Sequence, residues 1–449
     1  MSRHVVIIGN GIAGVSCARH LRKRDPNVHI TIISGESEHF FSRTALMYIY
    51  MGQMKYENTK PYEDHFWEVN RINLVWDWVE SVDFDAKRIS CKKNGEIAYS
   101  QLVFATGSKP IRGIWPGENL KGVQGLYSLQ DLDLMFEHTK DIDHAVIVGG
   151  GLIGIEMAEM LYSRNIPVTI LVREKHFWNN VLPNEEAQII DRHILLHNID
   201  LRLLTELREI VDDGTGQVKG VVTKSGDFIS CKFVGLAVGV RPNIDFLKKS
   251  KLNLNIGIIV NARFQTNIPD VFAIGDCAEF EKPPGYSRKN IEQVWYTGRM
   301  HGETLGFNLS NDFAVDYKPG VWFNSAKFFD LEYQTYGTVP PVWGEAFDSF
   351  YWENSDGKVC FRMLYDRESL KVIGINSIGW RLRHAYFNQA IEEGKKADIV
   401  IQELYKADFK PEFYKSFHID IQNKFQQETG LAVQIQKNSF LGRLRGILS

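Results

Sequence analysis

The sequence has few cysteines, no long apolar run and nearly balanced charge. Its five cysteines, among 449 residues, are spread singly from Cys17 to Cys360 and show no CxxC spacing. This pattern indicates neither a disulfide scaffold nor a metal cluster, and it is typical of the reducing cytoplasm, where we expect the protein to reside. The net charge of −3 argues against nucleic acid as a general partner. No apolar stretch reaches the ~20 residues that a membrane-spanning helix needs, so no transmembrane segment is expected.

The length and the apolar pattern predict a chain of two or three domains. An apolar run at Val5–Ile8 is followed by a helical pattern and a second run at Ile30–Ile33, which is typical of a parallel strand–helix–strand unit. The same order returns from Ala145–Val148 to Val168–Val172. The first strand begins by His4, which leaves no room for a cleaved leader, so the mature chain is expected to start here.

Each of the two units carries a glycine-rich turn between its first strand and its helix. The turns are GNGIAG, with Gly9, Gly11 and Gly14, and GGGLIG, with Gly149, Gly151 and Gly154. In this pattern the first glycine permits a tight turn, the second lets backbone amides approach a pyrophosphate, and the third allows close packing of the helix. The phosphates then lie at the positive end of the helix. Glu36 stands where the pattern expects a carboxylate that accepts hydrogen bonds from ribose hydroxyls.

A third motif, TNIPDVFAIGDCAEF, spans Thr266–Phe280 and contains Asp276. We expect a buried strand at Val271–Ile274, with Asp276 at the start of a helix that follows it. An aspartate in that position can accept hydrogen bonds from a ligand, or it can serve only as the helix cap.

The order of these motifs, with ATG at Ala105–Gly107 between the two turns, resembles that of the two-dinucleotide-binding flavoprotein reductases. These include ferredoxin and rubredoxin reductases, the flavin part of nitrite reductase and apoptosis-inducing factor. The resemblance covers roughly residues 1–310. It implies an α/β fold with two Rossmann-like dinucleotide-binding domains and a C-terminal α+β domain. The implied division is an FAD-binding domain at 1–113 and 245–312, an NAD(P)-binding domain at 114–244, a dimerisation or acceptor-interface domain at 315–425, and a tail at 426–449.

The resemblance assigns FAD to the first turn and to the Asp276 segment. It implies that Asp276 binds a ribityl hydroxyl, that Arg43 lies near the flavin diphosphate, and that a helix carrying Trp295 lies against the isoalloxazine ring. Arg43 is also explained as a surface arginine, and Trp295 as a core residue. The expected FAD contacts are Gly9, Gly11, Ile12, Ala13, Gly14, Glu36, Arg43, Ala105, Thr106, Gly107, Gly275, Asp276 and Trp295.

The second turn is assigned to the nicotinamide nucleotide. The expected NAD(P)H contacts are Gly149, Gly151, Leu152, Ile153, Gly154, Arg173, Lys175 and Gly239. Val172 stands where a ribose-binding acid would follow the second strand, with Arg173 and Lys175 after it. A missing acid beside cations favours the 2′-phosphate of NADPH over NADH, although both cations are also explained as ordinary loop charges.

One family feature is replaced in this sequence. Many relatives pair a lysine near flavin N5 with a glutamate that matches Glu156, which makes Glu156 the candidate catalytic residue. Alignment through Arg43 and Leu46 puts Tyr48 at the lysine position, so Glu156 is equally open to a structural role. Near Ser42 and Arg43, where thiol-dependent relatives carry a redox cysteine, this chain has none. A thiol-based reductase is therefore not expected.

These observations predict an FAD-dependent NAD(P)H oxidoreductase. Hydride passes from NAD(P)H to FAD, and electrons pass on to an acceptor, for which an acidic iron–sulfur carrier of the ferredoxin or rubredoxin type is favoured. One alternative is a peripheral quinone or oxygen reductase that an apolar face in Ser439–Ser449 holds on a membrane. Another is a flavin-bound, redox-sensing interaction protein. The third domain of relatives implies a homodimer.

Two further patterns lie outside these motifs. From about Val315 onward, alternating aromatic and polar residues predict an antiparallel sheet. Within it, WRLRH at Trp380–His384 is expected to form a solvated turn. His193 and His197 lie four residues apart on a predicted helix without the glutamate of a zinc-protease motif, so a solvated helix face is expected there.

Overall fold

The computed structural model describes residues 3–285, 288–310, 314–409 and 415–434. The predicted apolar face at Ser439–Ser449 lies outside these residues. The described residues belong to two compact units, one formed by Met1–Trp178 with Ile194–Pro319 and the other by Asn179–His193 with Gly320–Ser449. Among the described residues, no helix combines the length and the apolar character needed to cross a bilayer.

The amino-terminal part of the chain begins with the predicted strand–helix–strand unit. Its elements are β1 His4–Ile8, α1 Ile12–Arg24, β2 His29–Ser34, α2 Leu46–Tyr50, α3 Phe66–Val69, β3 Ile72–Trp76, β4 Val79–Asp83, β5 Arg88–Cys91, β6 Gly95–Ala98, β7 Gln101–Phe104, β8 Ser108–Pro110, β9 Val123–Gln124 and α4 Leu129–His138.

The following part contains the second strand–helix–strand unit. Its elements are β10 Ala145–Val148, α5 Leu152–Tyr162, β11 Val168–Leu171, α6 Asn184–Leu196, β12 Asp200–Arg202, β13 Leu207–Asp212, β14 Val218–Thr223, β15 Phe228–Ser230, β16 Phe233–Leu236, β17 Val240–Pro242, β18 Ile258–Val260, β19 Val271–Ala273, β20 Ala278–Phe280 and α7 Trp295–Asn308.

Two parallel five-stranded sheets organise the larger unit. Their strand orders are β19-β7-β1-β2-β3 and β12-β11-β10-β16-β9. In each sheet the strand that follows the central one, β2 after β1 or β11 after β10, lies on one side of it, and a later strand, β7 or β16, lies on the other. This reversal of direction opens a crevice at the carboxyl ends of the strands. Antiparallel pairing of β8 with β17 brings together the two segments that connect the sheets. This architecture confirms the predicted α/β class.

Continuous apolar runs form the central strands because both faces of each parallel sheet are covered. Val5, Val6 and Ile7 of β1 have no exposed surface. Helix α7 packs against α1 at glycine positions, where a Cβ atom on Gly302 would come within 2.3 Å of the Ala13 carbonyl oxygen. This close packing holds α7 beside the amino end of α1.

The smaller unit is built on an antiparallel sheet, as its alternating pattern predicts. Its elements are β21 Phe323–Phe328, β22 Leu331–Gly337, β23 Phe347–Glu353, β24 Cys360–Asp366, β25 Val372–Ile378, α8 His384–Glu392, α9 Ala397–Gln402, α10 Leu404–Ala407 and α11 His418–Thr429. The strand order is β21-β22-β25-β24-β23. Phe361 and Met363 point to the core beneath the helices, whereas Arg362 between them lies on the other face.

Three local predictions were wrong. Asp276 does not begin a helix: residues Gly275–Cys277 form a single 3-10 turn, and the next residues form β20 because they pair with β18. Trp380 is buried rather than solvated, and its indole nitrogen donates to Asp408. His193 is also buried, with its Nε2 2.8 Å from an Asp330 carboxylate oxygen, so it does not lie on a solvated face.

A buried ion pair lies in the smaller unit. Arg362 Nε donates to Glu186 at 2.7 Å and its Nη2 donates to Glu185 at 2.8 Å. The Arg362 and Glu186 side chains are 3% and 0% exposed, whereas that of Glu185 is 51% exposed. The same guanidinium therefore has one buried and one solvated partner.

We expect Glu186→Ala to lower the free energy of unfolding by about 3 kcal/mol, because it leaves a buried guanidinium without its buried partner. Glu185→Ala, the matched control at the solvated partner, should cost less than about 1 kcal/mol. Urea unfolding of both variants measures the difference. Equal losses would contradict the buried character of the Glu186 pair.

Candidate functional site

The two glycine turns have the same backbone geometry. Gly9 has a φ of +115°, and a Cβ atom there would come within 2.1 Å of the Ala105 carbonyl oxygen. Gly149 has a φ of +126°, and a Cβ atom there would come within 2.3 Å of the Ala237 carbonyl oxygen. Each turn thus lies on the loop that follows the neighbouring strand, β7 or β16. A side chain at either glycine would separate the two loops.

Each turn also leaves open space at the amino end of its helix. Gly11 and Gly151 immediately precede α1 and α5, and a Cβ atom at either would meet nothing within 4 Å. The first amides of a helix lack intrahelical acceptors and carry positive partial charge. The space can therefore hold an anionic group such as a phosphate. By contrast, Gly14 and Gly154 pack directly on the turns behind them.

A cleft of about 900 Å³ runs from the first turn across the carboxyl edge of the first sheet. Twelve of the residues expected to contact FAD line it, and Gly14 packs behind them. The lining members are Gly9, Gly11, Ile12, Ala13, Glu36, Arg43, Ala105, Thr106, Gly107, Gly275, Asp276 and Trp295. The Thr106 hydroxyl is buried without a hydrogen-bond partner, which leaves one polar atom for a ligand. These features fit a dinucleotide such as FAD.

The residues expected to contact the nicotinamide nucleotide are divided between two places. Ile153 on α5 reaches the same cleft as Asp276, and so does Glu156, the candidate catalytic residue on this helix. Outside the cleft, the second turn and the loop after β16 contain Gly149, Gly151, Leu152, Gly154 and Gly239. Arg173 and Lys175 follow β11 and are exposed. The helix of the second turn thus contributes to the wall of the first cleft.

Glu36 and Arg43 form a bidentate ion pair in the cleft wall, with distances of 2.8 and 2.6 Å. The Leu129 amide also donates to Glu36, at 3.0 Å. Burial, which disfavours the charged guanidinium, is outweighed by Glu36, so the pKa of Arg43 is raised. The pair fixes the Glu36 carboxylate at the carboxyl end of β2, where it can face a ribose. Arg43 is thus not a free surface arginine.

Asp276 also lines the cleft and lies in a network of neutral donors. Ser108 Oγ donates to its carboxylate at 3.0 Å, and the Tyr127 hydroxyl lies 3.5 Å from the same oxygen. Gln293 Nε2 donates to Ser108 Oγ at 2.6 Å. Burial raises the pKa of Asp276, and the Ser108 hydrogen bond and the Arg43 charge oppose that shift.

Sequence reasoning missed several residues of this network. Ser108 directly follows the ATG motif and could have been included on that ground. Tyr127 and Gln293 carry no local signal, because only the fold brings them to Asp276.

His301 on α7 is another residue that the sequence did not reveal. Its Nδ1 accepts a hydrogen bond from the Gly275 amide at 3.1 Å, which holds the turn that carries Asp276. Burial lowers the pKa of His301 to about 3, so the ring is neutral. Its ring lies 4.6 Å from that of Tyr317 in an edge-on arrangement. His301 therefore positions the Asp276 turn without carrying charge.

Glu156 has a strongly perturbed carboxyl group in the cleft wall. Burial, with a smaller contribution from the charge of Glu159, raises its pKa to about 7. Tyr48, at the position where relatives carry a lysine, lies in α2. Because its pKa lies near 7, the carboxyl group of Glu156 is partly neutral at physiological pH.

We expect Glu156→Gln to change how stability depends on pH. Because the folded state holds the Glu156 proton more tightly than the unfolded state does, the stabilisation is complete below the ordinary glutamate pKa and is lost as pH rises through 7. Relative to the variant, the wild-type protein should lose about 2 kcal/mol between pH 4.5 and 8. Urea unfolding at both pH values measures this, with the exposed Glu80→Gln as control. A pH-independent difference would contradict the raised pKa.

Comparisons with known proteins agree with this geometry. A nitrite reductase (NAD(P)H) of Bacillus subtilis is 30% identical over 279 residues, which are 62% of this chain but only 34% of that protein. A rubredoxin-NAD(+) reductase of Acinetobacter baylyi is 28% identical over 287 residues, covering 61% of this chain and 72% of that one.

A solved structure, a ferredoxin reductase from Rhodopseudomonas palustris, matches with a TM-score of 0.76 and 24% identity. The match covers 84% of this chain and 91% of that one, and it confirms the fold. The family described as pyridine nucleotide-disulphide oxidoreductase matches residues 3–302. The chain belongs to this pyridine nucleotide-disulphide oxidoreductase family.

Proposed function

We propose that the protein is an FAD-dependent NAD(P)H oxidoreductase that passes electrons to an iron–sulfur carrier. The observation that carries the proposal is the cleft itself. It begins at the first glycine turn, and its wall includes Ile153 and Glu156 from the helix of the second turn. Two dinucleotides bound at the two turns would thus both have access to one cleft, as direct hydride transfer requires.

Family membership implies FAD and NAD(P)H as the two cofactors. FAD, when bound, supplies the ability to accept two electrons as hydride and to release them singly. We assign FAD to segments 1–113 and 245–312 and the nicotinamide nucleotide to 114–244. In this assignment the Gly11 and Gly151 turns bind the two pyrophosphates, and Glu36 and Asp276 accept hydrogen bonds from sugar hydroxyls.

The cleft wall supports electron transfer without a protein thiol. No cysteine is among the described residues that line the cleft, and all five cysteines are buried and unpaired. Cys277, adjacent to Asp276, has a pKa raised by burial, so its thiol is poorly reactive at neutral pH. Electrons would therefore leave directly from the flavin to the acceptor.

A cluster of cations near the cleft suits an acidic carrier. Lys109, Arg241 and Lys248 all pair with one carboxylate, Asp245, which leaves two positive charges in excess. Lys109 and Asp245 themselves line the cleft. An uncompensated positive patch raises the association rate of an anionic partner. Two of the similar proteins are called a rubredoxin reductase and a ferredoxin reductase, and their names refer to such electron carriers.

The second turn supports a preference for NADPH. Val172, fully buried, stands directly over Gly150, where a Cβ atom would come within 2.8 Å of a valine methyl group. The acid that follows β11 is Glu174, three residues after Leu171, as Glu36 is three residues after Ile33 of β2. Arg173 is 74% exposed and pairs with Glu174 at 2.7 Å. This loosely held guanidinium can exchange Glu174 for a 2′-phosphate, which it binds more strongly.

Anaerobic titration of the flavin-loaded protein tests the proposed function. NADPH should bleach the flavin absorption near ~450 nm, and a reduced rubredoxin or ferredoxin should then form on addition of the oxidised carrier. A protein that neither nicotinamide bleaches would contradict the proposal. Faster reoxidation by air or by a quinone than by any carrier would favour an oxidase or quinone reductase instead.

Two glycine variants separate the nucleotide sites in this experiment. Gly149→Ala should retain FAD and slow bleaching at least about tenfold, because its Cβ atom collides with the loop after β16. Gly214→Ala is the matched control, since Gly214 also has a positive φ, of +97°, but no atom lies within 4 Å of its Cβ position. If flavin bleaching were slowed to a similar extent in both variants, backbone strain alone would explain the slower bleaching.

Arg173→Ala is expected to lower kcat/KM for NADPH about tenfold and leave that for NADH unchanged, because only NADPH carries the 2′-phosphate. Arg208→Ala provides the control: this arginine is 53% exposed and likewise pairs with the next residue, Glu209, at 2.8 Å. Initial rates measured with NADPH and with NADH test this expectation. Equal losses with both would show that Arg173 does not read the 2′-phosphate.

A further inference from the structure

Trp78 is a large exposed aromatic residue at the edge of the cleft. Its surface is 53% exposed, yet it lines the cleft together with Gly35 and Glu36. Strands β2 and β3 pair in parallel through Ser34 and Trp76, so Glu36 and Trp78 each lie two residues beyond this pair. A carboxylate and an indole ring thus stand side by side at the carboxyl edge of the first sheet.

The backbone around Trp78 holds the indole in place. A Cβ atom on Gly35 would come within 2.1 Å of the ring, so the ring lies directly on this glycine. The Trp78 amide donates to Asp77 at 2.8 Å, and the Lys92 amide donates to the Trp78 carbonyl at 2.9 Å. Asp77 is 2% exposed and also accepts hydrogen bonds from the amides of residues 93 and 94, at 2.8 Å each. The ring is therefore presented by a rigid turn rather than by a flexible loop.

We propose that Trp78 forms the stacking surface for the adenine of the dinucleotide bound at the first turn. The inference rests on the proposed function, in which Glu36 binds the adenosine ribose. Adenine is joined to that ribose, so the base lies within one sugar of Glu36, on the wall that Trp78 occupies. Stacking would bury the exposed indole face and add to affinity for dinucleotides over mononucleotides.

Trp76, the last residue of β3, offers a matched control two residues before Trp78. It is 59% exposed, and its indole nitrogen donates to the Gly35 carbonyl at 3.3 Å. It does not line the cleft, although it contacts the same glycine. Replacing it removes an exposed tryptophan of similar surroundings without removing the proposed stacking surface.

The test compares FAD with FMN, which shares the isoalloxazine, ribityl and phosphate groups but lacks the adenosine. Dissociation constants are measured by flavin fluorescence on reconstituted flavin-free protein, and FAD release is measured on the purified holoprotein. Trp78→Ala should weaken FAD binding about tenfold, equivalent to ~1.4 kcal/mol, and leave FMN binding unchanged. Trp78→Phe should recover most of the loss, and Trp76→Ala should match the wild type.

A second variant displaces the ring without removing it. Gly35→Ala puts a methyl group where the indole lies, so it should also weaken FAD binding selectively. Equal weakening of FAD and FMN by Trp78→Ala would show a merely structural role and overturn the inference, as would unchanged FAD affinity and release. A wild-type protein that binds FMN and FAD with the same dissociation constant would also overturn the inference. A wild-type protein that binds neither flavin would overturn the proposed function itself.

Discussion

Direct contact between two backbone loops is the constraint on which the rest of the larger unit depends. At Gly9 the turn after β1 rests on the carbonyl of Ala105, with no room for a side chain between them. This contact holds the amino end of α1 at the crevice between β1 and β7, where the helix amides face the cleft. Gly149 and Ala237 repeat the contact in the second sheet. The same contact between a glycine turn and a neighbouring loop thus occurs twice in the chain, and the cleft depends on the first of the two contacts.

Polar groups around the cleft differ in how their charges are balanced. Glu36 is neutralised by Arg43, and the hydroxyls of Ser108 and Tyr127 approach the Asp276 carboxylate. His301 accepts its hydrogen bond as a neutral ring. Glu156 differs from Glu36, because burial and the charge of Glu159 raise its pKa to about 7. The cleft therefore contains an acid whose protonation changes near neutral pH, and this acid lies on the helix of the second turn.

The sequence predicted the parts of the site that backbone geometry dictates. Only glycine fits at Gly9 and Gly149, so both turns can be recognised in the sequence. The strands around them are predicted by continuous apolar runs. Side chains that approach from distant segments gave no such signal. Tyr127 reaches Asp276 only after the connection between the sheets has folded back, and its own neighbours in sequence do not indicate this.

The errors have related physical causes. A helix was expected after Asp276 because an aspartate behind a buried strand is a common helix cap, but residues 278–280 pair with β18 and remain extended. Pairing with a strand about twenty residues away overrides the local preference. Trp380 was expected in solvent because three basic residues surround it, yet its ring lies in the core and only the neighbouring side chains reach the surface. Burial of one residue in a polar stretch depends on packing that no short pattern encodes.

The order of strands along the chain has a consequence for synthesis. In the first sheet, β19 at Val271–Ala273 is the edge strand that covers β7, whereas all five strands of the second sheet lie between residues 123 and 236. The ribosome therefore releases a complete second sheet before the first one can close. Until then β7 presents an open edge of unpaired amides and carbonyls, the kind of surface that chaperones shield and that aggregates recruit. A pause in translation just before β19 would prolong that exposure, whereas a pause after it would not.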